Sequence, residues 1–244
     1  MKRYTRLKYK LIDLQSHQLS FLLLLTFCAC QSDSTSSFDN TTADVKPGSH
    51  FQLRSAQESG LTFKNQITET KEFHHLLWES VFYGGGVAIG DINNDGLPDL
   101  YFTGNQVKDA LYLNKGNMQF EDISKSSGIG NIEGWSTGVT MADVNADGLL
   151  DIYVCKSWWD MDANSIDLRR NKLLINNGDL TFTDQAAKYG LDDPAYSTQA
   201  TFFDYDRDGD LDMYLMNMPS NNFKQKIIYQ QTNSIPYTLS LIHI

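Results

Sequence analysis

Cysteine is almost missing from this chain. Three occur in 244 residues, and two of them, Cys28 and Cys30, sit close to the N-terminus, leaving Cys155 alone in the remainder. One remaining thiol excludes a disulfide framework. Histidine is scarce as well, five in all, and the adjacent pair His74 and His75 near Trp78 and Glu79 lacks the spaced partners of a zinc or acid/base site. Basic charge is short: 20 Lys and Arg stand against 30 Asp and Glu, a net charge of −10. Such a charge repels phosphate backbones and leaves no basic stripe, so a nucleic-acid role is disfavoured. The chain also lacks a long hydrophobic run. Ser20 to Ala29 (SFLLLLTFCA) is apolar for about ten residues, where a spanning helix needs about twenty.

That short run follows Lys2, Arg3, Arg6, Lys8 and Lys10 and ends in small residues, the layout of a secretory signal over residues 1–30. The sequence FCAC resembles a relaxed bacterial lipoprotein processing site, with Phe27 where a small aliphatic is commoner. That resemblance implies lipidation of Cys30 and an outer-membrane lipoprotein, surface or periplasm-facing, with the membrane contacted only through the lipid. Simple secretion after Ala29 is the alternative. Residues 31–49 hold eight Ser and Thr among nineteen and little apolar material, as expected of a flexible tether. As a coil it would span roughly 25 Å.

What the chain does have is a repeat. GVAIGDINNDGLPDLYFT from Gly86, GVTMADVNADGLLDIYVC from Gly138 and QATFFDYDRDGDLDMYLM from Gln199 align without gaps. Their first aspartates, Asp91, Asp143 and Asp204, are separated by whole supersecondary units. Short β-branched and aromatic stretches flank each acidic segment, at Val87 to Ile89, Val139 to Met141 and Thr201 to Phe203 before it, and Leu100 to Thr103, Ile152 to Cys155 and Met213 to Met216 after it. These read as strands. ALYLNKG from Ala110 and KLLINNG from Lys172 add a third strand per unit, and FEDISKSSGI from Phe120 and FTDQAAKYGL from Phe182 a fourth. QLRSAQESGL from Gln52 looks like that last element again, so Gln52 to Phe63 is expected as an orphan strand segment. The pattern predicts an all-β fold, part of a β-propeller over residues 50–238, with units of about 84–134, 135–195 and 196–238.

Oxygen side chains recur at positions 1, 3, 5 and 9 of each acidic segment, with glycine at 6 and a carbonyl available at 7. The candidate ligands are Asp91, Asn93, Asp95, Leu97 and Asp99; Asp143, Asn145, Asp147, Leu149 and Asp151; and Asp204, Asp206, Asp208, Asp210 and Asp212. Gly96, Gly148 and Gly209 permit the tight turn. An all-oxygen set in a flexible loop suits Ca²⁺ better than octahedral Mg²⁺, and without His or Cys it does not suit zinc. Three or four carboxylates within about 4 Å would repel by roughly 1 to 4 kcal/mol per pair without a cation. About one Ca²⁺ per repeat, three in this chain, is therefore expected. Acidic β-turns explain one such segment but not three matched frames. An EF-hand would need glutamate at position 12, where Phe102, Val154 and Leu215 stand, and dockerin-type loops would also need helical flanks.

The stretches YGGGVAIGDINNDGLPDLYFTGN, LYLNKG and WSTGVTMADVNADGLLDIYVC resemble the FG-GAP or VCBS repeats of integrin alpha-subunit propellers and bacterial surface proteins, in the lipoprotein branch that often carries an ASPIC/UnbV domain. The resemblance implies a seven-bladed propeller with calcium inside individual blades and no catalysis by the repeats. The expected function is a non-enzymatic binding or adhesion module for a protein or glycan ligand. The alternative is a propeller lyase or hydrolase acting on polysaccharide, although the acids outside the loops form no paired motif.

The remaining features read as structural. Trp158 and Trp159, with Asp160 and Asp162, fit aromatic packing of a long loop better than a sugar platform. Cys155 is expected as a buried small hydrophobe, and Gly84 to Gly86 as a place where chains pass closely, since a strand follows and not a phosphate-binding helix. The tail LSLIHI, residues 239–244, departs from the repeat and is read as an artefact on a truncated chain.

Overall fold

Strands form where the sequence alternates, and they assemble into three antiparallel sheets. In the computed structural model the residues described are 51–71, 73–76, 81–157, 163–218 and 239–243. The chain divides into two units, Met1–Asp44 and Val45–Ile244, and every described residue lies in the second. The signal segment, Cys30, the tether, Trp78, Glu79, Trp158, Trp159, Asp160 and Asp162 all lie outside the described residues. Among the described residues no helix is long and apolar enough to cross a membrane.

The first sheet is β1 (Val87–Gly90), β2 (Asp99–Phe102), β3 (Ala110–Asn114) and β4 (Phe120–Asp122), in chain order. The second repeats it with β5 (Ser136–Ala142), β6 (Asp151–Lys156), β7 (Lys172–Asn176) and β8 (Phe182–Asp184). The third contains β9 (Tyr196–Phe203), β10 (Asp212–Met218) and β11 (Leu239–His243), ordered β11-β10-β9. Gly90 pairs with Asp99, Ala142 with Asp151 and Phe203 with Asp212, so each acidic loop closes the first hairpin of its sheet. The first two are the four-stranded units expected from the repeat, the third has three strands among the described residues, and the described sheets form no closed barrel.

One expectation is corrected. Gln52 to Phe63 contains no strand; Ala56–Ser59 is a helical turn, α1. Ser55 accepts from the Glu58 N–H while Glu58 accepts from the Ser55 N–H, a reciprocal cap, and Gly60 ends the turn at φ +77°. The corresponding turn after β8 is α2 (Ala186–Tyr189), ended by Gly190 at φ +70°. The segment thus takes the helical form seen after β8 and not that of a strand. Leu239–His243, within the tail, pairs with Asp212–Met216.

The sheets pack face to face because a single sheet of this size cannot bury its own apolar side. Leu111, Leu113 and Tyr101 of the first sheet meet Val139, Ile152 and Val154 of the second. Alternation along β6 then turns Tyr153 and Cys155 the other way, onto Ala200, Met213 and Leu215 of the third. This is why all six residues of β6 are buried. Each fully buried aliphatic here contributes about 1.5 to 3 kcal/mol. Cys155, fully buried in this second cluster, is the packing residue expected, its thiol held protonated by burial. On the far side of the first sheet, Phe63 stacks on Phe102 at 5.2 Å.

The inner strands approach as bare backbone. A Cβ on Gly86 would stand 2.7 Å from the Thr137 carbonyl oxygen, and one on Gly138 2.3 Å from that of Thr198. Thr103 Oγ1 donates to the Thr137 carbonyl and Thr137 Oγ1 to the Ser197 carbonyl, each at 2.7 Å. The close passage expected at Gly84 to Gly86 is thus seen at Gly86.

A buried polar latch crosses each junction between sheets. At the first, Asp109 accepts from the Gly104 N–H (2.7 Å), Tyr101 Oη (2.8 Å) and Ser136 Oγ (2.9 Å), while Lys156 Nζ donates to Ser136 Oγ at 2.8 Å. At the second, Asn171 Oδ1 accepts from the Lys156 N–H (2.7 Å), Asn171 Nδ2 donates to Ser197 Oγ (2.8 Å), and Ser197 Oγ donates to Asn217 Oδ1 (2.7 Å). The repeat keeps the geometry while replacing an acid and a cation by two amides. Burial pushes the Asp109 carboxyl upward, opposed first by Lys156. Burial pushes Lys156 down to about 8; Asp109 opposes this and Lys172 and Lys108 add to it.

Because Lys156 binds its proton less tightly folded than unfolded, its contribution to stability rises with pH from about 8 to the ordinary lysine value near 10.4. Urea midpoints of Lys156→Met should lose that alkaline slope. At pH 7 the same variant should lose roughly 3 kcal/mol by leaving Asp109 without a cation, and the Asp109→Asn, Lys156→Asn double variant should lose less than Lys156→Met alone.

Candidate metal centre

The three acidic loops are the same object built three times. Their fourth residues, Asn94, Ala146 and Arg207, are left-handed at φ +58°, +56° and +66°, and the following glycines Gly96, Gly148 and Gly209 stand at +84°, +86° and +98°. Two such residues in three positions curl the backbone so that side chains 1, 3 and 5 fall on its inner side. In the first loop Asp91 accepts from the N–H groups of Asp95 (3.1 Å) and Gly96 (2.7 Å), and Asp95 accepts from that of Leu97 (2.8 Å). In the second, Asp143 accepts from Asp147 (3.1 Å) and Gly148 (2.9 Å), and Asp147 from Leu149 (2.8 Å). The third substitutes Arg207 (2.6 Å) and Gly209 (3.3 Å) on Asp204, with Asp210 on Asp208 at 3.0 Å.

Position 9 has a second role that the spacing alone does not reveal. Asp99, Asp151 and Asp212 are buried, whereas the acids at positions 1 and 5 are partly or fully exposed. Asp99 Oδ2 accepts from the Ile92 N–H (3.0 Å) and Oδ1 from the Asn114 N–H (2.8 Å). Asp151 repeats this with Val144 (3.1 Å) and Asn176 (2.8 Å), and Asp212 accepts from Tyr205 (2.9 Å). Each therefore ties the start of the loop to the sheet, and the first two also to the end of the third strand. Burial raises the Asp99 and Asp151 carboxyls above the ordinary aspartate range, opposed by those N–H groups and reinforced by the acids at positions 5 and 1. A bound cation would reverse that push.

Position 3 separates the loops electrostatically. Asn93 Nδ2 donates to Asp95 Oδ2 at 3.0 Å and Asn145 Nδ2 to Asp147 Oδ2 at 2.9 Å, so an amide hydrogen partly offsets the carboxylate. Asp206 has no such hydrogen to give. In the third loop Asp204, Asp206 and Asp208 bring one oxygen each within 4.8 Å of one another, all exposed. A hard divalent cation would fit this donor set of three, and among the described residues neither Asp212 nor the acids of the other two loops join such a cluster. The Leu97, Leu149 and Asp210 carbonyls follow the left-handed glycines at position 7.

Asn114 and Asn176 were not singled out from the sequence as site residues. The Asn114 amide donates to the Pro98 carbonyl and accepts from the Gly116 N–H; the Asn176 amide donates to the Leu150 carbonyl and accepts from the Gly178 N–H. Their signal was present in the paired LYLNKG and LLINNG turns. His74 and His75 join no metal cluster among the described residues; His75 Nδ1 lies 2.7 Å from Glu69 on the surface. A cavity of about 240 Å³ opens at the starts of the inner strands between Tyr83, Trp135, Gly86, Gly138 and Thr198.

Three hairpin loops of one geometry, each at the first turn of a sheet, match the model of the FG-GAP-like repeat over residues 83–154 and 160–215. The chain belongs to the FG-GAP-like repeat family. It is also similar to cartilage acidic protein 1 of Xenopus tropicalis, 31% identical over 136 residues, and of Mus musculus and Homo sapiens, 27% and 26% identical over the same length. The match takes in 55% of this chain and about a fifth of each relative. FG-GAP-like repeats point to a non-enzymatic module of binding or adhesion type.

The two roles of the aspartates separate experimentally. In chelator, Asp99→Ala should still destabilise by roughly 2 to 4 kcal/mol, because two backbone N–H groups lose their acceptor. Asp204→Asn in chelator should cost under 0.5 kcal/mol, since it also relieves repulsion with Asp206 and Asp208. Urea titrations of both variants check this.

Proposed function

We propose that this protein is a calcium-binding adhesion or recognition module that works outside the cytoplasm. The observation that carries the reading is the third loop, where three exposed carboxylates converge with no hydrogen-bond donor among their side chains. Such a group repels itself unless a cation is present. The other two loops reproduce its backbone frame, which supports reading the same ion there. Extracellular calcium, at millimolar levels, suits loops of this openness. The partner is a protein or glycan taken up without turnover, in keeping with the family and with a net charge of −10 that disfavours nucleic acid.

The charged N-terminus, short apolar run and FCAC sequence support export and a lipid on Cys30 that holds the protein at the outer membrane, with residues 31–49 as tether. The ions then stiffen the loops that present the binding surface.

With calcium tenfold above its dissociation constant, each site adds about 1.4 kcal/mol. Three sites should raise the melting temperature by about 10 °C over the chelated protein. A melt unchanged by chelator would overturn the calcium reading, and turnover on a glycan panel would overturn the non-enzymatic one. Separately, Cys30→Ala should abolish labelling by radioactive palmitate and release the protein from the membrane fraction.

A further inference from the structure

The first two loops touch, and they touch through a side chain that belongs to neither ligand set. Asn94, fourth in the first loop, extends its Nδ2 across the junction to the carbonyl oxygen of Gly148 at 3.0 Å. Gly148 is sixth in the second loop, between Asp147 and Leu149 at positions 5 and 7. A second strut runs back, from Asn176 Nδ2 at the end of β7 to the Ile92 carbonyl at 2.8 Å, and Ile92 is second in the first loop. The next pair of loops has no counterpart to the first strut, because the fourth residue of the second loop is Ala146, which carries no donor.

We propose that cation binding at the first and second loops is cooperative, coupled through Asn94, and that the third loop fills independently. The inference rests on the calcium reading above. Asn94 reaches Gly148 because its backbone is left-handed, at φ +58°, and positions 3 and 5 on either side turn inward. Without an ion that curl rests on the Asp95 and Gly96 N–H groups donating to Asp91 in an exposed loop, and an ion would stiffen it. An ion in the first loop fixes the donor; an ion in the second fixes the acceptor, since Gly148 lies between two ligand positions. Whichever ion binds first orders half of the contact for the other, and linkage requires the effect to be equal in both directions. A single exposed hydrogen bond limits the coupling to about a two- to tenfold change in affinity.

Isothermal titration of the purified chain with CaCl2 tests this. The third loop is first silenced by Asp204→Ala, leaving two equivalents. The second should bind about two to ten times more tightly than the first after statistical correction. Asn94→Ala should make the two sites independent, and Asn94→Asp, which sets a carboxylate against the Gly148 carbonyl, should abolish or invert the coupling. Ala146 already occupies the same φ, so Asn94→Ala is compatible with the fold, and an unchanged circular dichroism melt in chelator confirms it. Calcium binding that is already independent, or an Asn94→Ala isotherm that superimposes on the parent, overturns the coupling and leaves the calcium reading intact. No calcium heat in any variant overturns the calcium reading and the coupling with it.

Discussion

A buried carboxylate at the ninth position of each loop holds the hairpin that every other feature depends on. Asp99 and Asp151 each accept two backbone N–H groups, one from the loop entrance and one from the third strand, and Asp212 accepts the loop entrance of its own sheet. Without that anchor the loop would have no fixed origin, and the curl that gathers the first, third and fifth side chains would not face one centre. Burying an acid is unfavourable on its own, and the raised carboxyls of Asp99 and Asp151 show that cost. The N–H groups offset part of it, and a cation at the loop would offset more.

The charge of the protein is thus arranged in two layers. Outside, on the loop tips, carboxylates are exposed and answer to ions in solution. Inside, between sheets, Asp109 and Lys156 are linked through Ser136. A single figure for net charge conceals this separation, because the outer layer faces solvent and the inner one is sealed between sheets.

Most of the sheet architecture was legible in the sequence because its signals are local. Alternation marks the strands, and the nine-residue frame marks the turn between the first two of each sheet. The orphan segment was misread as strand although Ser55, Glu58 and Gly60 spell a helix start and stop, since its likeness to the ends of the other units outweighed its own capping residues. The second role of Asp99 and the strut from Asn94 to Gly148 were not legible at all, because both depend on which groups meet across folded distances and neither changes the spacing pattern.

The latches make the repeats non-interchangeable. The second sheet presents an ammonium to the first and an amide to the third, although the strands around both junctions are nearly alike. If the first sheet docked directly on the third during folding, Asp109 would meet Asn217 in place of Lys156 and an ionised acid would be sealed in without a counter-charge. Tandem copies of similar sequence are prone to such skipping errors. One swapped pair of side chains therefore serves as an ordinal mark, telling each copy which neighbour comes next.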